Sequence, residues 1–216
     1  LKIENYDFIA AIGDVHGCLD ETKLLVERCL GKLDELEGNG ILLFLGDYVD
    51  RGPKSYETAN YVRSLVEEGK ALAIMGNHEN MAIEGFRLGY RMYDPKYVTD
   101  REQIEWFRTL PLFYETDLHF FVHAGIDPQY PLDDQIENDL IWVRHKFLLS
   151  DDKHPKYIVH GHTPTNAWED GKIFPEVKHN RCNLDTGGVF GGNFSAAIFD
   201  VTKELPIWLV SIPSLK

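Results

Sequence analysis

The residues best suited to chemistry gather in three short turns, Gly13-Asp-Val-His-Gly17, Gly46-Asp-Tyr-Val-Asp-Arg-Gly52 and Gly76-Asn-His-Glu79. Each places an oxygen or imidazole donor beside a glycine. Asp14 and His16 lie two apart, so a locally extended chain puts both side chains on one face. Phe120-Phe-Val-His-Ala-Gly125 adds His123, and Ile158-Val-His-Gly-His162 adds His160 and His162. Any one of these is most simply a polar turn, or a hydrogen-bonded histidine at a strand end. Together, two Asp, one Asn and three or four His form a mixed oxygen and nitrogen set suited to manganese, iron or zinc. The absence of thiolate ligands points away from a structural zinc site.

These donors need elements to hold them. Phe8–Ile12, Ile41–Leu45 and Ala71–Met75 are continuous apolar runs, each followed by one of the three turns. Two helical stretches separate them. In the first Asp20 is the expected cap, with Leu25, Cys29, Leu30 and Leu33 on one face; in the second Ser55 caps a face of Ala59, Val62, Leu65 and Val66. Strand, helix, strand, helix, strand, with strands apolar throughout, predicts a parallel sheet covered on both faces. Ligands then gather beyond the carboxyl ends of the strands. Thr99-x-x-Glu102 predicts a capping box before Ile104, Trp106, Phe107 and Leu110, closed by Pro111. A further helix is predicted over 136–149, and strands over 118–122, 157–160, 181–184, 194–199 and 206–211. The expected fold class is α/β (α+β), a β-sandwich flanked by helices, as a single domain over 1–216.

Composition narrows the partners. The 216-residue chain has a formal net charge of −13. A field of that sign repels nucleic-acid phosphates, so no nucleic-acid partner is expected. No apolar run approaches the ~18 residues of a membrane span, so no membrane partner is expected either. Cys18, Cys29 and Cys182 form no pairing pattern and read as buried thiols of a reducing, cytoplasmic compartment. The oligomeric state is open.

In order along the chain, GDVHG, GDYVDRG, GNHE, VHAG, IWVR, GHTP and LDTG resemble the phosphoprotein phosphatase branch of the calcineurin-like metallophosphoesterases. The likeness is greatest to bacterial and phage lambda-type serine/threonine phosphatases. It implies a four-layer fold around two divalent metal ions, manganese being expected and iron or zinc the alternatives. Asp14 and His16 would hold one ion, Asp47 would bridge, and Asn77, His123 and His162 would hold the second. Arg51 and Arg144 would bind phosphate oxygens. His78 would protonate the leaving group with Asp50 orienting it, and Asp185 would orient a ligand histidine. Glu79 would brace its loop. Many members of the superfamily read Gly-His-x-His where this chain has Gly161-His-Thr-Pro164; proline cannot ligate, which leaves His162 as the sixth ligand and His160 as a packed neighbour.

The function this implies is hydrolysis of phosphomonoesters, phosphoserine or phosphothreonine in proteins, by attack of a hydroxide shared between the ions. A phosphorylated small molecule is the other substrate class. The alternative is symmetrical hydrolysis of diadenosine tetraphosphate, against which the short chain argues. An inactive scaffold on the same fold would show broken ligands, and none is broken. Residues 80–118 and 128–155 are expected to shape the substrate groove.

Overall fold

A computed structural model describes residues 1–88, 100–167 and 171–215. One sheet contains β1 (Phe8–Ile12), β2 (Gly40–Phe44), β3 (Ala71–Ala73), β9 (Asn193–Asp200) and β10 (Trp208–Pro213), in the order β10-β9-β1-β2-β3. β1, β2 and β3 are parallel, and β9 and β10 extend the sheet antiparallel. The second sheet contains β4 (Phe113–Glu115), β5 (His119–Val122), β6 (Tyr157–His160), β7 (Glu176–Val177) and β8 (Arg181–Asn183), in the order β4-β5-β6-β8-β7. Its three central strands are parallel and its two edges antiparallel.

Strand alternation builds the layers. Ile9 and Ala11 of β1 pack with Leu43, Phe121, Val159 and Cys182, so this core lies between the two sheets. Ala10 and Ile12 face the other way, onto α1 (Leu19–Asp34) and α2 (Ser55–Glu67) through Leu25, Cys29, Ala59 and Val62. On the far side of the second sheet, Phe120, Val122 and Ile158 meet Leu140 and Ile141 of α5 (Glu137–Trp142) and Phe147 of α6 (His145–Leu148). Both faces of both sheets are covered, hence the unbroken apolar runs. The result is the expected sandwich flanked by helices. α3 (Asn77–Arg87) and α4 (Arg101–Phe107) are the remaining α-helices among the described residues. Among the described residues no helix is long and apolar enough to cross a membrane.

Several local expectations change. α1 starts at Leu19 after Cys18, so Asp20 lies in its first turn and pairs with Lys54 at 2.7 Å instead of capping. α2 starts at Ser55 itself; Ser55 Oγ is buried without a partner, and a Cβ on Gly17 would lie 2.7 Å from it. α4 is capped by Asp100, which accepts from Gln103 N at 2.8 Å, while Thr99 lies outside the described residues. The helix predicted over 136–149 is two helices, broken where Val143 is extended (φ −58°, ψ 140°) and Arg144 is non-helical (φ −130°, ψ −100°). Residues 89–99, part of the predicted groove, are also outside the described residues.

Candidate active site

The three turns leave adjacent parallel strands on the same edge, so their polar residues meet. Asp14 and His16 follow β1, and Asp47, Asp50 and Arg51 follow β2. Asn77 and His78 open α3 just beyond β3. His123 and His162 arrive from the ends of β5 and β6 in the second sheet. The backbone bends hard to achieve this. Among the described residues six non-glycine residues have positive φ, and five are His16 (40°), Asp47 (55°), Asp50 (68°), Arg51 (69°) and His162 (68°). Left-handed conformations cost about 1–3 kcal/mol each and persist where the surroundings enforce them.

Hydrogen bonds fix which imidazole nitrogen carries the proton. His123 Nδ1–H donates to Leu45 O at 2.7 Å, so Nε2 presents its lone pair. That lone pair faces Asn77 Oδ1 at 2.9 Å, His162 Nδ1 at 3.2 Å and Asp47 Oδ1 at 3.4 Å. His16 Nδ1–H donates likewise to Val49 O at 2.9 Å, leaving Nε2 facing Asp47 Oδ2 at 3.4 Å and Asp14 Oδ2 at 3.9 Å. Lone pairs thus converge on both oxygens of Asp47 with few protons to share. Such an arrangement repels itself unless a cation lies among the donors. Two triads, His16–Asp47–His78 and Asp47–His123–His162, each bring potential ligand atoms within 4.8 Å of one another, and Asp47 belongs to both. The donor set fits two divalent ions that share Asp47.

Electrostatics separates the histidines. Burial pushes His16 down to about 3 and His162 to about 2, and it also lowers His123, so all three stay neutral as ligands must. His78 is the exception. Burial opposes its charge, but the Asp47 carboxylate and the hydrogen bond from Nδ1–H to Asp50 Oδ2 (2.6 Å) prevail and raise it. An imidazole biased towards its charged form is a poor ligand and a good acid. Asp14 is raised well above the carboxylate range by burial and by Asp185 and Asp47 nearby, and burial first brings Asp185 to about 7. This cluster of buried carboxylates is short of positive charge.

Glue between the turns comes from two residues. Glu79, fully buried, accepts from Asp47 N (2.8 Å), Tyr48 N (2.8 Å) and Gly76 N (3.0 Å), tying the second turn to the third. Its spacing from Gly76, as in a capping box, was the visible signal; its reach to the β2 turn had none. Gly161 lets β6 approach, since a Cβ there would lie 2.2 Å from Asp14 Oδ1. His162 N–H then donates to both oxygens of Asp14 at 3.1 and 3.2 Å.

Arg51 donates to His16 Nε2 at the centre's edge. Arg144, in the helix break, donates to Thr163 Oγ1 at 3.0 Å, and Thr163 O in turn accepts from Asn183 at 2.8 Å. Sequence reading missed Thr163 and Asn183. One expectation changes. Asp185 Oδ1 accepts from Gly187 N at 3.0 Å in a local turn and bonds no described histidine; folded back on its own loop, it sits beside Asp14 instead. His160 is in neither triad: it packs edge-on against Phe147, with ring centroids 5.1 Å apart.

Comparison with known proteins agrees with this geometry. The family model for calcineurin-like phosphoesterases matches residues 9–192. The asymmetrical bis(5'-nucleosyl)-tetraphosphatase PrpE of Halalkalibacterium halodurans is 29% identical over 241 residues, covering 94% of this chain and 92% of that protein. The symmetrical bis(5'-nucleosyl)-tetraphosphatase of Neisseria meningitidis is 30% identical over 173 residues, covering 74% of this chain and 58% of that protein. A crystal structure of a candidate diadenosine tetraphosphatase superposes with a TM-score of 0.74 at 23% identity, over 99% of this chain and 97% of that one. The family model runs from the first strand to the turn beyond β8, through every residue that converges on Asp47, and this chain therefore belongs to the calcineurin-like phosphoesterase family.

Proposed function

We propose that the chain hydrolyses bis(5'-nucleosyl) tetraphosphates, at a centre of two divalent ions held by Asp14, His16, Asp47, Asn77, His123 and His162. The observation that carries the substrate is similarity to a dinucleoside tetraphosphatase along 94% of the chain. The motifs alone favour a phosphoprotein; the relatives favour the dinucleotide. Length is no argument against it, because the chain spans 92% of the Halalkalibacterium enzyme. That relative is asymmetrical, whereas the symmetrical one is spanned over 58% of its length, which supports an uneven split. Manganese suits the mixed oxygen and nitrogen donors.

Two ions so held would neutralise phosphate charge and make water acidic enough to attack at neutral pH. The chain's own residues do the rest. Asp47 turns one oxygen to each half of the centre, keeping the halves in register. Arg51 and Arg144 grip non-bridging phosphate oxygens through guanidinium forks. His78 holds its Nδ1 proton against Asp50, leaving Nε2–H to pass to the departing oxygen. A departing nucleotide phosphate is a weaker base than a serine alkoxide, so an anhydride demands less of His78 than a phosphoserine does.

The test is a substrate panel with manganese: diadenosine tetraphosphate, a phosphoserine peptide and 4-nitrophenyl phosphate. The expected outcome is the highest kcat/KM on the dinucleotide, giving ATP and AMP. Two ADP would replace the uneven split by the even one. A higher kcat/KM on the phosphopeptide would restore the protein-phosphatase reading.

A further inference from the structure

Phe190 lies in the loop joining β8 to β9, and its backbone is closely held. Gly187 and Gly191 adopt left-handed φ values of 71° and 90°. Phe190 N and Gly192 N both donate to Gly187 O at 2.9 Å. A Cβ on Gly192 would lie 2.2 Å from Thr186 O, so the loop has little room to shift. This rigid turn carries an aromatic ring that is 60% exposed. The ring meets the Arg51 guanidinium, 5.1 Å from its centroid, and Arg51 in turn touches His16. An exposed ring on a closely held turn thus sits one side chain away from the metal-ligand cluster. Trp142 differs: it is 36% exposed and packs edge-on against His162, within the centre's own wall.

An open π face beside a phosphate-binding guanidinium matches the two ends of a nucleotide, whose planar base and phosphate are joined through one ribose. It does not match a phosphoserine, which continues into peptide backbone. We propose that Phe190 is the stacking platform for a substrate nucleobase, and so determines specificity for nucleotides over simple phosphates. The proposal rests on the dinucleotide reading of the site. The guanidinium contact holds the ring by a cation–π attraction and leaves most of its surface open to a planar partner.

The test measures equilibrium binding of ADP and of inorganic pyrophosphate to the full-length, manganese-loaded protein, as wild type, Phe190→Ala and Phe190→Trp. ADP carries the base and pyrophosphate lacks it. Phe190→Ala should weaken ADP about 5- to 150-fold, the range of one base–aromatic stack, and pyrophosphate by less than about twofold. Phe190→Trp should retain or tighten ADP binding. Equal weakening of both ligands would mean that the ring only aligns Arg51, and no change in either would mean that it touches neither; both overturn the proposal. Wild-type turnover of diadenosine tetraphosphate is measured alongside. If that turnover is absent while ADP binding still depends on Phe190, the substrate reading fails and the platform stands. If turnover is present and Phe190→Ala binds ADP normally, the platform fails alone.

Discussion

The centre and the rim of this site are built on different principles. In the centre, Asp14, His16, Asp47, Asn77, His78, Glu79, His123 and His162 are none of them more than 7% exposed. The tautomers of His16 and His123 are set by backbone carbonyls and that of His78 by Asp50, and several of these residues hold strained backbone conformations. At the rim, Arg51, Trp142 and Phe190 are exposed and held by one or two contacts each. A buried, over-determined centre commits the molecule to one kind of chemistry. A lightly held rim can change from one protein to another without unfolding anything, so substrate choice belongs there.

If this division is right, changes in the centre injure every substrate and changes at the rim discriminate. Asp47→Asn tests it hardest. It removes a charge shared by both triads, and turnover of every ester and anhydride should fall by about 10⁴-fold or more. Retained activity in the metal-bound variant would break the picture of two ions on one bridge. His78→Asn should be the exception within the centre. Its loss should cost a phosphoserine peptide about 10²- to 10⁴-fold in kcat and diadenosine tetraphosphate much less, because the leaving groups differ in basicity. Equal losses would remove His78 from the proton transfer.

Glu79→Gln probes the frame and not the chemistry. One amide oxygen cannot serve the three N–H groups that Glu79 now satisfies, and its NH2 would face a donor. Chemical denaturation should show a loss of about 1–3 kcal/mol. At the rim, Arg144→Lys should raise KM about tenfold while kcat changes little, since a point charge replaces a fork. A matching fall in kcat would move Arg144 into the centre.

The smallest effect concerns pH. Burial raises Asp185 and Glu79 to about 7 in the folded protein. Between about pH 4 and 7 the native state therefore keeps protons on these two groups that the unfolded chain has released, and the stability they contribute falls as pH rises through that window. The lowered His16, His123 and His162 act oppositely, losing stability as pH falls below about 6.5. The carboxylates are therefore read as a difference: by calorimetry, the metal-free Tm of Asp185→Asn should fall less, or rise more, from pH 5 to pH 8 than that of the wild type. Saturating manganese should raise the wild-type Tm most at pH 8, because cations bind the ionised carboxylates. An identical pH dependence in the two metal-free proteins would show that Asp185 does not titrate in this window.

How much of this was readable beforehand depends on distance along the chain. The apolar runs of β1, β2 and β3, with a polar glycine turn after each, were plain because strand period and turn chemistry are local. The helix caps were misplaced because capping type is local and its use is not: Asp20 pairs with Lys54 and Ser55 packs against Gly17, while Asp100 caps α4. The continuous helix over 136–149 failed because periodicity does not register a break that tertiary contacts impose at Arg144.

The sequence by itself determined that a metal centre could form, since donor types recur in order at successive strand ends, and the resemblance its motifs carry implied the reaction class. Tertiary structure decided the rest. His162 is held by Asp14 across 148 positions, and Glu79 reaches Asp47 across 32. Which histidine stays neutral, which is raised towards its charged form, and which exposed ring stands beside Arg51 all depend on burial and on charges brought together from such separations. Local sequence carries no energy for contacts of that range until the two sheets have packed.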